Sequence, residues 1–569
     1  MWIRSRLVRS WPYGLSVALV ATVAFGGLLA LYSVLVPLYE APDEPAHVDL
    51  VMHAATGGDA PAYDGRRWSA AVVADCGVFA ATRARCPAGG PATGLRTFPR
   101  YLAPSRSGGA TFNELGGDAQ VGDRNQLAQH PPLYYAGMGL LVRMERRLTG
   151  GTWSMASEVA WLRLANGLLV LPLPLLAWWT ARRIGARPTE CAVASVLPLL
   201  IPQLTHIGST VNNDNLLLVL CAAVLALCAG VVRGDRRIAT AVAIGLASGV
   251  ALLTKSSALV LVPLVGLSYA VTAWRTFRGQ RVGLPRDDGS SDVDRSDEAD
   301  RRRTRLAAVG SIVVCVLVAL GVAAALGAWW YVRNVLRHGH LVPSIDDERI
   351  NASLQRPGFK PSAREWSSIY FHYMVPRFWG WFGWYSVQAR LRLAQASSVL
   401  LGAVGLVAVM VRHGRQVPGD NRPGISLRRR HLVALLVPAL ALLAGVIDRA
   451  WSLYVISSQA PFLQGRYLFP AVTTTAVVVA VGLRKVAGRW ALALAVGWVA
   501  VMQIDALAVI LPGYWGGPGL GPRGQTMAML AWSRWSPFLV VIVMLVTVAA
   551  GVGLVAQATR QARVTSAGL

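Results

Sequence analysis

Long apolar runs recur along this chain at short intervals, and arginine clusters fall in the gaps between them. A run of about twenty apolar residues crosses roughly 30 Å of hydrocarbon as a helix. Backbone polar groups in lipid must be satisfied internally, so a chain built of such runs is restricted to helices. The composition agrees, with 54% hydrophobic and only 15% charged residues, against roughly 25% charged in an average soluble protein. A chain of 569 residues has too little polar surface here for three or four water-soluble domains. The expected fold is an all-α polytopic membrane protein, one transmembrane domain over 1–569.

The expected spans are approximately 15–38, 160–181, 189–207, 213–232, 238–254, 257–274, 306–330, 394–411, 432–448, 469–483, 490–511 and 536–556, twelve in all. Arg4, Arg6 and Arg9 precede the first, which places the N-terminus in the cytoplasm. That run is long and no small-residue cleavage site follows it, so it reads as an uncleaved helix. Twelve spans put both termini inside. The cytoplasmic segments are then 1–12, 181–190, 231–238, 274–306, 411–431, 484–489 and 557–569. They hold 29 of the 55 basic residues in 103 positions, while the other 466 positions share 26. A net charge of +26 therefore reflects the positive-inside rule rather than a nucleic-acid partner. Only Lys255, Lys360 and Lys485 are lysines, an arginine bias typical of high-GC bacterial genomes. The expected location is a bacterial plasma membrane.

Two long stretches face outward on this topology, 39–159 and 331–393, with smaller outer loops near 208–212, 449–468 and 512–535. The loop 274–306 is polar with mixed charge and is expected to be disordered. Residues 131–147 have too short an apolar core to span, so an interfacial amphipathic helix is expected, with Tyr134 and Tyr135 at headgroup depth. Cys191, Cys221, Cys228 and Cys315 lie in apolar runs and read as packing residues. Cys76 and Cys86 sit in the first outer loop, in an oxidising compartment where a disulfide persists. No Cys/His spacing resembles a zinc site.

The conspicuous polar residues gather at the outer ends of the spans. Asp43 and Glu44 in APDEPAH (41–47) are adjacent acids at the membrane boundary, costly there unless partnered or useful. Helix capping by Asp43 is the plain structural alternative. His47 ends that motif, and His130 opens HPPLYY. Asn213 and Asp214 close a tight turn, where Asn and Asp are ordinary turn residues. Lys255 stands between two spans; snorkelling is its plain reading and binding an anionic headgroup the other. Arg333, in WWYVRN, and Arg466-Tyr467, in QGRYLFP, place arginines among aromatics at the rim, as in an aromatic belt. The FWGWFGWY run at 378–385 reads as interfacial, with carbohydrate stacking as a second use.

The order of these motifs resembles the GT-C superfamily of integral-membrane glycosyltransferases. APDEPAH stands where that superfamily has an acid after the first helix, and QHPPLYY (129–135) resembles its later PPL-type element. Arg163-Leu164-Ala165-Asn166, TK at 254–255, WWYVRN (329–334) and QGRYLFP (464–470) complete a likeness to a bacterial subgroup of predicted membrane glycosyltransferases. The resemblance implies a polyprenyl-phosphate-linked sugar donor, transfer on the extracytoplasmic face and inversion at the anomeric carbon. It makes Asp43 or Glu44 the general base. A lysine common before the paired prolines in related transferases is replaced here by His130.

A polyprenyl phosphate is already a good leaving group, so a carboxylate to take the acceptor's proton and fixed cations for the phosphate suffice. Lys255, Arg333 and Arg466 are the expected cations, with His130 secondary. No metal is required, and a single divalent cation is compatible with the set. The acceptor is a hydroxyl of an envelope glycan, glycolipid or protein. A transporter or lipid flippase is the rival, for which ionisable groups at mid-membrane are expected; Gln203 and Asp505 lie within spans. A structural scaffold is the third reading, and it requires no acids at 43–44.

Overall fold

The protein is represented by a computed structural model that describes residues 2–82, 86, 98–106, 108–278, 293–345, 356–411, 427–459 and 462–564. Its helices are α1 (Trp2–Leu35), α2 (Glu44–Ala55), α3 (Ala70–Phe79), α4 (Leu133–Thr149), α5 (Met155–Val170), α6 (Leu173–Ile184), α7 (Pro188–Val196), α8 (Pro202–Gly208), α9 (Asp214–Val232) and α10 (Ile238–Leu252). They continue as α11 (Leu261–Arg278), α12 (Val293–His338), α13 (Ala363–Trp379), α14 (Leu391–Met410), α15 (Arg429–Ser457), α16 (Val472–Ala487), α17 (Ala491–Trp515), α18 (Pro522–Trp532) and α19 (Pro537–Val564). Two small antiparallel pairs, Arg67–Ser69 with Gln120–Arg124 and Trp381–Phe382 with Val387–Gln388, are the sheet structure among the described residues.

The protein is an all-α polytopic membrane protein. Nine described helical segments are long and apolar enough to cross a bilayer, ten when the α7–α8 pair counts as one span bent by 70°. The expected twelve differ from this in two places. Ile238–Leu252 is a 15-residue helix, about 23 Å at 1.5 Å per residue and short of the roughly 30 Å core. Gly465–Trp515 is one helical stretch of 51 residues, far too long for one crossing. It doubles back at Gly488, whose φ of 55° and ψ of −121° break the helix. Both ends of the stretch accordingly meet the end of α1 or the loop that follows it: Arg466 donates to Pro42 O, and Trp515 Nε1 donates to Leu35 O at 2.8 Å. That end of α1 is called the outer side below.

The expected disorder at 274–306 is corrected in part. Residues 274–278 close α11 and 293–306 open α12, so the described portions are helical; 279–292 lie outside the described residues. The second outer stretch likewise begins later than 331, because α12 continues to His338. Residues 133–149 form an amphipathic helix packed on α2, and it is not among the spanning segments.

Small residues set the closest packing. Gly245 and Gly249 on α10 face Ala319, Val322 and Leu326 of α12, where an added Cβ would come within 2.7 Å of α12 atoms. Such small-residue seams let apolar helices approach where lipid offers no hydrophobic drive. α1 packs between α19 and the α6–α7 pair, and its buried residues Val17, Phe25 and Leu29 join the main apolar cluster.

The first outer stretch is tied down by a buried polar network. Arg66 donates to both oxygens of Asp49 (2.8 and 3.1 Å) and to Asp118 (2.6 Å), and Asn125 Nδ2 donates to Asp49 at 2.8 Å. Asp49 lies on α2, so this network fixes α2 to the loop. Cys76 and Cys86 form a disulfide, with Cα atoms 5.8 Å apart. The other four cysteines are free and buried.

Candidate active site

The acids at 43–44 part company because of backbone geometry. Asp43 takes a left-handed conformation (φ 65°) at the start of α2, and its side chain makes no capping hydrogen bond. Pro42 before it and Pro45 after it restrict the neighbouring torsions. The turn sends the two carboxylates in different directions.

Glu44 points inward and is fully buried. Its carboxylate takes two bonds from Arg163, Nε at 2.7 Å and Nη2 at 2.5 Å, and a third from the Val211 amide at 3.1 Å. Arg163, equally buried, gives its remaining N–H groups to the carbonyls of Ser33, Val36 and Pro37. All five guanidinium donors are therefore used. The pair joins α2 and α5 to the end of α1, and it presents nothing to a substrate.

Asp43 faces the other way. Its Oδ2 accepts from Arg466 Nη2 at 2.5 Å. Arg466 Nε lies 3.7 Å from Asp214 Oδ2, and Lys255 Nζ bonds Asp214 Oδ1 at 2.5 Å. Tyr467 covers the cations, with its ring 5.7 Å from the Arg466 guanidinium and 5.8 Å from Lys255 Nζ. Positions 43, 214, 255 and 466 thus meet in one chain of alternating charge. Hydrogen-bonding capacity is left over in it: Arg466 Nε and Asp214 Oδ2 are buried without hydrogen-bond partners. Such buried, unsatisfied groups are expensive unless something occupies the site.

The segment carrying Asp43 is pinned on both flanks. Tyr39 donates to Asp75 at 2.6 Å, and burial pushes the Asp75 carboxyl up to about 7 against the pull of that bond. Glu40 accepts from Thr82 Oγ1 at 2.6 Å and from Ser386 at 2.9 Å; burial raises its pKa as well.

Behind the charged chain lies a neutral layer. His47 Nδ1 is 3.1 Å from Tyr135 OH, and Asn213 Nδ2 reaches Tyr135 OH at 3.5 Å and Thr254 O at 3.4 Å. Burial, then the charges of Lys255, His130 and Arg466, hold His47 well below the usual imidazole range. Burial and Lys255 push His130 down to about 3. Both imidazoles are neutral near pH 7. Burial and the charge of Lys255 thus weigh against His130 as a secondary cation for a phosphate.

Two further expectations are revised by the geometry. Arg333 sits over the ring of Trp330 on its own helix at 4.7 Å, and no described hydrogen bond or ion pair joins it to the cluster. Glu44 is held as a structural ion pair. Among the described residues no group of three or more His, Cys, Asp or Glu side chains is poised to hold a metal ion. Asp505, within α17, pairs with Arg390 at 3.4 Å and accepts from its amide at 3.1 Å. Gln203 accepts from the Trp381 amide at 2.9 Å. These intramembrane polar groups are engaged in structure.

An apolar cavity of about 420 Å³ opens directly below the charged chain. Asp214, Lys255, Arg466 and Tyr467 form its head; Leu217, Val260, Leu442 and Val446 are among the apolar residues of its walls. It runs between α9, the 256–260 turn that leads into α11, and α15, an apolar slot with a charged cap.

The fold and site define a polytopic helical membrane protein with an acid–cation cluster above an apolar cavity. Residues 25–474 match the model of a family described as a predicted membrane protein family, DUF2142, and the chain belongs to that family. No curated protein matches it. Among solved structures it is similar to the oligosaccharyltransferase of Archaeoglobus fulgidus in the apo form, at 14% identity and a TM-score of 0.39, over 92% of this chain and 60% of that one. It is also similar to ArnT of Cupriavidus metallidurans bound to undecaprenyl phosphate, at 14% identity and a TM-score of 0.38, over 94% of this chain and 77% of that one. The chain thus spans only about 60% of the archaeal protein. No residue correspondence follows from likenesses at these scores.

Proposed function

We propose that the protein transfers a sugar from a polyprenyl-phosphate donor to an acceptor hydroxyl on the outer face of a bacterial plasma membrane. The observation that carries this reading is the meeting of Asp43, Asp214, Lys255 and Arg466, from four distant segments, at the head of an apolar slot. An isoprenoid chain fits the slot, and its phosphate fits the cations at the head. The motif order APDEPAH, HPPLYY, TK and QGRYLFP, resembling GT-C glycosyltransferases, supports the same reading.

In this mechanism the donor phosphate takes over from the carboxylates as partner of Lys255 and Arg466. Asp43 is then left ionised beside the incoming hydroxyl and acts as general base. The acceptor oxygen attacks the anomeric carbon while its proton passes to Asp43. The bond from that carbon to the phosphate oxygen breaks, and the phosphate leaves with the electron pair. Lys255 and Arg466 stabilise the charge that builds on it; removing one such preorganised group costs other enzymes roughly 3–4 kcal/mol. Direct displacement inverts the anomeric centre. Neither Glu44 nor a metal ion has a part in these steps. The engagement of Asp505 and Gln203 in structural bonds weighs against a transporter, which needs ionisable groups available at mid-membrane.

A structure with undecaprenyl phosphate bound tests the reading. The expected result places the phosphate within hydrogen-bond reach of Lys255 and Arg466, with the chain between α9, the 256–260 turn and α15. A phosphate bound elsewhere, or a continuous lipid path across both leaflets, contradicts it.

A further inference from the structure

A second cavity, of about 300 Å³, follows the first along the same helices. On α9 the lining passes from Cys221 to Leu225, from Val260 just before α11 to Leu264 on it, and on α15 from Ala441 to Pro438. Each step is about one helical turn. The second cavity therefore occupies the opposite half of the bilayer from Asp43, and its far end is basic. Arg275, Arg430 and His431 line that end, and Arg428 lies beside them, its amide bonded to His431.

Positive charge at inner helix ends is ordinary in a membrane protein, but two observations go further. No described ion pair reaches Arg275, Arg428 or Arg430, whereas the neighbouring Arg183 and Arg237 share Asp235 at 2.8 and 2.9 Å. Second, His431 is almost completely buried, and its Nε2 has no hydrogen-bond partner although the residue lines the cavity. Its Nδ1 is occupied, accepting from the Arg428 amide at 3.2 Å. A buried ring nitrogen left open beside converging arginines and an apolar slot is the form of a pocket for an amphiphilic anion.

We infer that the inner end of α9, α11 and α15 binds an anionic glycerophospholipid of the cytoplasmic leaflet, its phosphate among Arg275, Arg428, Arg430 and His431 and one acyl chain in the adjoining cavity. Basic pockets between membrane helices on the cytoplasmic side are suited to such headgroups. The chemistry at the mouth is shared with free phosphate; the apolar wall of Leu264, Val271, Ala434 and Pro438 is what selects a lipid.

The test is lipid binding by the full-length protein, read by native mass spectrometry and by thermal unfolding in nanodiscs. Phosphatidylglycerol is compared with phosphatidylcholine, and inorganic phosphate is added as competitor. The expected result is retention of phosphatidylglycerol over phosphatidylcholine and no displacement by millimolar phosphate. Arg430→Gln alters an exposed side chain and should weaken phosphatidylglycerol binding at least tenfold. Ala434→Phe, which fills the slot and leaves every charge in place, should do the same. Arg489→Gln, another inner arginine that stacks on Trp490, should leave binding unchanged. Equal loss in Arg489→Gln would reduce the effect to general surface charge and overturn the site. Competition by free phosphate, with Ala434→Phe silent, would assign the arginines to a soluble anion instead. Undiminished binding in both Arg430→Gln and Ala434→Phe would remove the site altogether.

Discussion

Glu44→Gln and Asp43→Asn remove adjacent carboxylates by near-isosteric changes, and the structure assigns them opposite consequences. Glu44 and Arg163 are both fully buried, and the carboxylate accepts three hydrogen bonds, two of them from Arg163. Neutralising Glu44 leaves a guanidinium buried without a counter-charge. Breaking one partner of such a pair costs about 3–5 kcal/mol. Gln keeps an acceptor oxygen, and the Ser33, Val36 and Pro37 carbonyls still hold Arg163, so the lower end, about 3 kcal/mol, is expected. Asp43 is less buried than Glu44 and makes no capping bond, and the buried Arg466 keeps Asp214 as a second counter-charge at 3.7 Å, so Asp43→Asn should cost less, about 1.5 kcal/mol. Unfolding in detergent, by heat and by denaturant, measures both. The account expects the larger loss of stability for Glu44→Gln, with residual transfer in whatever remains folded, and a smaller loss with no transfer for Asp43→Asn. A stable, inactive Glu44→Gln beside an active Asp43→Asn would refute the division of labour.

Lys255→Gln and Arg466→Lys should each weaken undecaprenyl phosphate binding at least tenfold, about 1.4 kcal/mol, the latter because lysine keeps the charge and loses the guanidinium fork. Arg333→Gln should leave that affinity unchanged, and loss there would restore Arg333 to the site. His130 is held neutral with its pKa down at about 3, so the unfolded chain binds a proton that the fold does not as pH falls below about 6.5. That contribution to stability is present above pH 6.5 and is lost at up to about 1.4 kcal/mol per pH unit towards pH 3; thermal unfolding at pH 7 and 5 should show a shallower loss for His130→Gln than for the wild type. Cys76 and Cys86 should resist thiol labelling in non-reduced membranes, and reduction should cost roughly 3 kcal/mol in the chain-entropy picture. In the same membranes an impermeant reagent should label Ser105→Cys and spare Arg489→Cys, and the reverse would invert the topology.

Much of this was legible in the sequence. Apolar length and arginine placement gave the helical membrane class, and the polar residues that broke the apolar pattern at Asp43, Asp214, Lys255 and Arg466 are those that converge. The different fates of Asp43 and Glu44 were not legible. They depend on a left-handed turn at one residue, which proline neighbours suggest and do not dictate. Arg163 stood out only as part of a motif, and its role as partner of Glu44 was not legible, because its five buried bonds arise only when the end of α1 folds over it. Arg333 was over-read for a related reason, since aromatic-flanked arginines look alike until their partners are known. Apolar content did not record how short α10 is: in 15 helical residues it links Asp235, paired with Arg183, to Lys255, paired with Asp214, and Leu253 to Lys255 complete the distance outside the helix.

The most direct test of the central claim is turnover of undecaprenyl-phosphate-linked hexose by Asp43→Asn in nanodiscs, with binding of undecaprenyl phosphate measured on the same preparation. General-base catalysis is worth about 10²–10⁴ in rate, so the account predicts at least a hundredfold loss of turnover. Affinity should be undiminished or tighter, because the substitution removes the carboxylate that competes with phosphate for Arg466. Turnover within tenfold of wild type, with binding intact, would contradict Asp43 as the base.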